Sequence, residues 1–209
     1  MMAKPKSFMS RMRARAHAKT FDQVLASGGN AQSLSDEIER DFSGLPVTRS
    51  PFHVGRKWCL YVRGKIVVLL PIQSLVWAYG DDAVLADNPI FKAPQIVLWR
   101  PQGPGLNLAV TKAEATAAMK QLAQAAPWLP VGYSPAMVET WNNDHPNLIA
   151  MVHRARSEGR PFRELFPADL DEESFKPPEY SNLSRAALVV AAIAVIAAVS
   201  AYFLWRSPG

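Results

Sequence analysis

The chain has 209 residues, of which 49% are hydrophobic, and its formal net charge is +5. This length suffices for one ordinary domain with appendages, and the single cysteine, Cys59, excludes an internal disulfide and fits a reducing compartment. Six bases and no acid lie in residues 1–19, which leaves 17 bases against 18 acids elsewhere, so the charge does not indicate a nucleic-acid-binding body.

The basic stretch, residues 1–19, is predicted to be a disordered arm. Three hypotheses for its role stay open: a solvated leader, contact with an anionic membrane leaflet at about 1 kcal/mol per base, or contact with RNA phosphates. Phe8, Met9 and Met12 give only a weak apolar face, which argues against an inserted amphipathic helix. The candidate lipid-contacting bases are Lys4, Lys6, Arg11, Arg13, Arg15 and Lys19.

The body of the chain, residues 20–157, is predicted to begin with two short helices, at 20–26 and 33–42. Apolar runs separated by turn residues then predict five to six antiparallel strands, with hairpins around Arg63-Gly64-Lys65 and Gly103-Pro104-Gly105. The predicted strands are 57–62, 66–70, 73–79, 95–100 and 106–110. Cys59 lies inside an apolar strand, where a packing role is favoured over a nucleophilic one.

A helix is predicted directly after the strands. Thr111 and Glu114 form the capping-box pattern, in which each side chain satisfies the backbone N–H of the other residue. Pro127 and Pro130 end this helix, and two further helices are predicted at about 134–143 and 146–157. Residues 158–185 contain several prolines and an acidic stretch, and are predicted to be a poorly ordered tether.

Residues 186–205 contain no charged side chain. Twenty helical residues span about 30 Å, the thickness of the hydrocarbon core of a bilayer, so a C-terminal transmembrane helix is predicted here. A buried core helix is the alternative, although such a helix would normally show a polar face. The predicted interfacial anchors are Arg185, Tyr202, Trp205 and Arg206.

Small residues recur along one side of this predicted helix, at spacings of three and four. Such a seam allows close helix packing in lipid and predicts a homo-oligomer or docking onto another membrane protein. Chance recurrence in an alanine-rich run is the alternative. The seam consists of Ala187, Ala191, Ala194, Ala198 and Ala201.

The orientation follows from the N-terminal composition. Residues 1–20 contain no apolar run typical of a secretory signal, so the body is expected to stay cytoplasmic, with the lipid bilayer as its first partner.

Two motifs carry a family resemblance. The run PIQSLVWAY from Pro71 to Tyr79, and PWLPVGYS from Pro127 to Ser134 with Trp141 beyond it, resemble uncharacterised bacterial single-pass membrane proteins with a PH-like domain. The resemblance covers roughly residues 45–157. It implies an α+β fold, an antiparallel PH-like sheet closed by a helix, and a bacterial inner-membrane setting, but it implies no reaction. The hairpin that carries Arg56, Lys57, Arg63 and Lys65 is basic, but a lipid-binding role for it would rest on fold analogy alone.

No pattern of catalytic or metal-binding residues is evident. His145 and His153 are eight residues apart, but Pro146 intervenes and no further ligand completes a zinc site, so neither a metal nor a cofactor is expected. The predicted function is a membrane-tethered, non-enzymatic interaction or scaffold module. An accessory structural subunit of a larger membrane complex is the alternative, and an enzyme is the third hypothesis.

Overall fold

The computed structural model of the protein describes residues 7–45, 48–85, 88–166 and 170–177, with side chains left undescribed at 83–92. Helices and strands alternate in blocks along these ranges, beginning with three helices. The helices are α1 (Phe8–Arg15), α2 (Ala18–Ser27), α3 (Ala31–Asp41), α4 (Lys112–Ala125), α5 (Pro135–Glu158) and α6 (Phe162–Leu165). The strands are β1 (Phe52–Val54), β2 (Trp58–Arg63), β3 (Ile66–Pro71), β4 (Trp77–Leu85), β5 (Asn88–Trp99), β6 (Leu106–Ala109) and β7 (Phe175–Lys176).

The strands form two sheets. The first is an antiparallel meander in the order β1-β2-β3, which leaves β1 at an edge. The second has the order β6-β5-β4-β7, and its last pair, β4 with β7, is parallel. Both sheets are buried on two faces, because successive side chains of a strand point to opposite sides and both sets are apolar here. In β2, for example, Cys59 and Tyr61 face one hydrophobic cluster while Leu60 and Val62 face another.

Three hydrophobic clusters hold these layers together. The central cluster joins the two sheets to α4, which contributes Ala115, Met119 and Leu122. Helices α1, α2 and α3 cover the outer face of the first sheet. The outer face of the second sheet packs against α5 and α6, where Trp77 and Phe162 are almost fully buried.

Residues 8–15 form a packed helix in place of the predicted disordered arm. Phe8, Met9 and Met12 are buried, and the Phe8 ring stacks on Phe42 at 4.4 Å between ring centroids. The carboxylate of Glu39 accepts hydrogen bonds from the backbone N–H groups of Phe8 and Met9, which satisfies orphan donors at the start of α1. The weak apolar face is sufficient because tertiary packing, rather than the helix alone, stabilises it.

The predicted tether is also ordered in part. Phe162 of α6 is buried, and residues 170–177 dock beside β4, where the Phe175 ring lies directly over Gly80. Gly132 faces the backbone of Asp171, and Ser174 Oγ bonds to both backbone groups of Tyr133. Residues 170–177 pack closely here because Gly80 and Gly132 have no side chain. Their absence leaves room for the Phe175 ring and for the backbone of Asp171.

The predicted fold class is wrong. The domain is α+β, but it has two separate sheets with α4 in their shared core, not one PH-like sheet closed by a helix. Within the ranges that the structure describes, no helix is long and apolar enough to cross a membrane. The predicted transmembrane helix, with its anchors and its alanine seam, lies outside the described residues.

The capping box at the start of α4 is confirmed, and it gives a direct test of the local fold. Thr111 Oγ1 accepts from the Glu114 N–H at 3.2 Å, and Glu114 Oε2 accepts from the Thr111 N–H at 2.8 Å. Thr111→Ala should lower the free energy of unfolding by about 0.5–2 kcal/mol in urea titration, the range for a lost N-cap. Thr140→Ala, inside α5, is the control, and an equal loss there would contradict the capping role.

Candidate functional site

A groove with a cavity volume of about 920 Å³ runs between the edge strand β1 and helix α4. Its floor is formed by β1, by the chain around Phe42 and by one face of α4. That helical face is small or neutral at nearly every position. It presents Ala113, Glu114, Ala117, Ala118, Gln121, Gln124 and Ala125. Small side chains keep the groove open beside the strand edge.

The backbone of β1 points part of its hydrogen-bonding capacity into this groove. Pro51 accepts from the Val62 N–H and Gly55 donates to the Trp58 carbonyl, so residues 51, 53 and 55 face β2. Successive residues of an antiparallel strand direct their backbone N–H and C=O groups to opposite edges, so the backbone groups of Phe52 and Val54 point away from β2. The Phe52 N–H donates to Ser50 Oγ at 3.2 Å. The Phe52 carbonyl and both backbone groups of Val54 therefore point to the unpaired edge of β1, where the two residues are only 3% and 7% exposed.

Two smaller pockets extend the groove at its ends. A pocket of about 460 Å³ adjoins it at Glu114, and another of about 350 Å³ adjoins it at Arg56 and Ala125. Both end pockets are basic. The first contains Arg15, Arg49 and Arg63, and the second contains Arg56, Lys57 and Arg156.

The acids along the groove are occupied by internal donors. The Asp41 carboxylate accepts four hydrogen bonds of 2.9–3.1 Å from the backbone N–H groups of Arg56, Lys57 and Trp58. Glu114 belongs to the capping box, and Glu37 accepts from Trp58 Nε1 at 3.2 Å. These carboxylates hold the scaffold and keep their formal negative charge, so the linings contain six bases against three acids.

The six bases, in contrast, make no ion pair with any acid in the described part of the chain. Arg63 donates to the Ala109 carbonyl and Arg156 to the Gln73 carbonyl. Arg49, Arg56 and Lys57 are exposed. The bases therefore lie at both ends of the groove, where they outnumber the acids of the linings.

His53 stabilises the β1 side of the groove as a neutral ring. Arg15 Nη1 lies 3.0 Å from His53 Nε2, and because arginine only donates, Nε2 must be the acceptor and Nδ1 must carry the proton. Burial, and secondarily the charge of Arg15, lowers the pKa of His53 to about 4. Arg15 also donates to the carbonyls of Thr48, Arg49 and Ser50, which ties α1 to the chain leading into β1.

The structure describes four of the six bases predicted for lipid contact. Arg13 pairs with Asp22 at 3.4 Å and Arg15 is committed to the contacts at His53, while Arg11 and Lys19 are exposed. Lys4 and Lys6 lie outside the described residues. The lipid contact of these bases stays a prediction.

Burial decides between the packing and nucleophilic roles considered for Cys59. The packing role predicted for Cys59 is confirmed, since its side chain is buried, its Sγ donates to the Leu70 carbonyl and burial raises its pKa to about 12. Within the described ranges, no group of three or more His, Cys, Asp and Glu side chains could hold a metal ion.

The groove could not be predicted from the sequence because β1 carries no strand signal. The strand has only three residues, and its short apolar run, from Phe52 to Val54, is interrupted by a histidine. Asp41 gave no signal either, since its partners lie 15–17 residues further along the chain.

The fold and the groove together define a two-sheet α+β domain with an unpaired strand edge beside a helix. The chain belongs to the family described as domain of unknown function DUF6709, whose model matches residues 15–140. That match includes both sides of the groove. No curated protein and no solved structure matches the chain.

Proposed function

We propose that the protein is a non-enzymatic interaction module, tethered at the cytoplasmic face of a bacterial inner membrane, that holds a partner protein in the groove between β1 and α4. The observation that carries this proposal is a groove between an unpaired strand edge and a helix that presents several alanines to it. Strand edges of this kind bind extended segments through main-chain hydrogen bonds.

The groove supports binding better than catalysis. Its carboxylates accept bonds that stabilise turns and helix ends, and His53 is held neutral against Arg15. Cys59 is buried in a core cluster and its thiol is protonated near neutral pH. A catalytic acid, base or nucleophile needs a free reactive atom in the cavity, and each of these groups is already committed.

The membrane tether rests on the sequence. Residues 186–205, outside the described ranges, carry no charge, and Arg185 and Arg206 flank them. The full chain should therefore stay in the membrane fraction after alkaline carbonate washing, and release into the supernatant would contradict the tether.

The alternative of a structural subunit has less support. A subunit buried in a complex would expose a large apolar surface. Among the described residues, the exposed large hydrophobic side chains are Leu45 and Ile66, on different parts of the fold.

A substitution that fills the groove tests the function. Ala117 is exposed on α4 and lines the cavity, so Ala117→Trp should exclude a bound segment while the helix remains folded. The full chain is isolated in mild detergent from cells expressing each variant, and co-purified proteins are quantified by mass spectrometry. We expect a specific partner to be depleted by about tenfold or more, the loss from a blocked binding site.

Ala150→Trp is the matched control, because Ala150 is an exposed helical residue of α5 and does not line the groove. It should leave the partner bound. A set of co-purified proteins that is identical in wild type and both variants would contradict the proposal.

A further inference from the structure

We infer that the occupant of the groove is an extended acidic peptide segment, which adds as a strand to the unpaired edge of β1 and places carboxylates on the arginines at the groove ends. This inference rests on the proposed function and names the chemistry of the partner. Backbone geometry, length and charge support it.

The backbone of β1 offers the pairing groups for an added strand. The Phe52 carbonyl and the N–H and carbonyl of Val54 face the groove, in the spacing of one antiparallel or parallel pair. The side chains of Phe52 and Val54 are buried in the central cluster, so an added strand would extend the first sheet over an existing core. The His53 contact with Arg15 fixes the strand from its other face.

The length of the groove selects a short segment. Helix α4 has 14 residues and is therefore about 21 Å long. An extended chain rises about 3.3 Å per residue, so about six residues run along the helix from one end pocket to the other. Ala113 and Ala117 lack bulk, which leaves room for alternate side chains of the segment on the helix side.

The charge of the groove lining indicates the amino-acid composition of the bound segment. Six basic side chains line the groove and the two pockets that adjoin it, against three acids, which leaves a formal excess of positive charge. Carboxylates satisfy guanidinium groups in bidentate pairs, which makes Arg49 at one end and Arg56 at the other the specific partners. Both are exposed and neither has an ion pair with a described acid.

The first experiment measures binding of defined peptides to the full chain in a zwitterionic detergent by fluorescence anisotropy. The probe is a labelled peptide of three Glu-Val repeats, and the control is the same peptide with Gln in place of Glu. We expect the acidic probe to bind at least about tenfold more tightly, and its affinity to fall as salt rises. Equal affinity of the two peptides would overturn the charge argument.

N-methylated probes test strand addition without altering the protein. Alternate amides of an extended strand point to opposite edges, so methylation of the Glu amides blocks one edge and methylation of the Val amides blocks the other. Only one of these two probes should lose affinity, by about tenfold. Unchanged binding of both, or an equal loss in both, would exclude pairing with β1.

Charge variants place the peptide in the groove. The double variant Arg49→Gln and Arg56→Gln should weaken binding of the acidic probe by about tenfold or more. The matched control, Lys19→Gln with Arg40→Gln, removes two exposed bases outside the groove and should change affinity by less than about twofold. Equal effects of the two double variants would overturn the assignment.

An anionic surface is the competing ligand. Vesicles of phosphatidylglycerol that displace the acidic probe, and whose binding disappears in the Arg49 and Arg56 double variant, would assign the bases to lipid and overturn the inference. Failure here is separable from failure of the proposed function. If Ala117→Trp removes a cellular partner but the double variant retains it, the groove binds proteins and the acidic peptide is wrong.

Discussion

Replacing Gly132 by alanine should lower the free energy of unfolding by about 3 kcal/mol or more. Gly132 has a φ of 114°, which residues with a side chain rarely adopt. A Cβ at this position would also collide with the backbone carbonyl of Asp171. The Gly132 carbonyl also accepts from Trp77 Nε1 at 3.0 Å, and its N–H donates to the Ala78 carbonyl, so the collision cannot be relieved by moving this segment. Urea unfolding measures the loss, and limited proteolysis should detect release of residues 170–177.

Gly29→Ala separates backbone strain from collision. Gly29 has a φ of 99°, but a Cβ there would meet nothing within 4 Å. Its substitution should lower stability by only about 1–2 kcal/mol and leave residues 170–177 resistant to protease. Equal losses from the two glycine variants would contradict the docking of this segment against Gly132.

Lowering the pH from 6.5 to 4 should destabilise the protein by about 3 kcal/mol through His53 alone. The pKa of His53 is lowered from 6.5 to about 4 in the folded protein, by burial first and by Arg15 second. The unfolded chain therefore binds a proton that the folded chain does not. The stabilisation is complete above pH 6.5 and is lost as the pH falls toward 4, and denaturant titrations across this range measure the slope.

His53→Gln removes the titration while keeping an oxygen that can accept from Arg15. The pH slope assigned to His53 should disappear in this variant, whereas the same substitution at the exposed His153 should preserve it. A slope unchanged in His53→Gln would show that His53 is not protonated on unfolding in this range.

Regular, locally encoded elements could be predicted from the sequence. The hairpin around Gly64 and the start of α4 at Thr111 appear where predicted, because a turn residue and a capping box act over a few residues. The split predicted near Pro146 is also present, as a kink in α5 at Asp144. The arrangement of the strands in two sheets could not be predicted, because a strand that is buried on both faces has a continuous apolar sequence. Such a sequence does not indicate which sheet the strand joins.

Long-range contacts explain the remaining differences. Helix α1 depends on Glu39, thirty residues further along the chain, and β7 depends on the space above Gly80. The site depends on the same kind of contact, since Asp41 holds the turn at residues 56–58 and Arg15 fixes the chain before β1. No local sequence pattern links the two members of any of these pairs. Composition alone therefore predicted a disordered arm for residues 1–19 and a poorly ordered tether for residues 158–185.

The most direct test of the groove is photo-crosslinking in cells. A photoreactive phenylalanine derivative replaces Ala117 in the full chain, and a second strain carries it at Ala150 on α5. We predict that a discrete crosslinked partner forms from position 117 and is absent from position 150. Crosslinking from neither position, or to the same proteins from both, would contradict the assignment of the groove between β1 and α4 as the interaction surface.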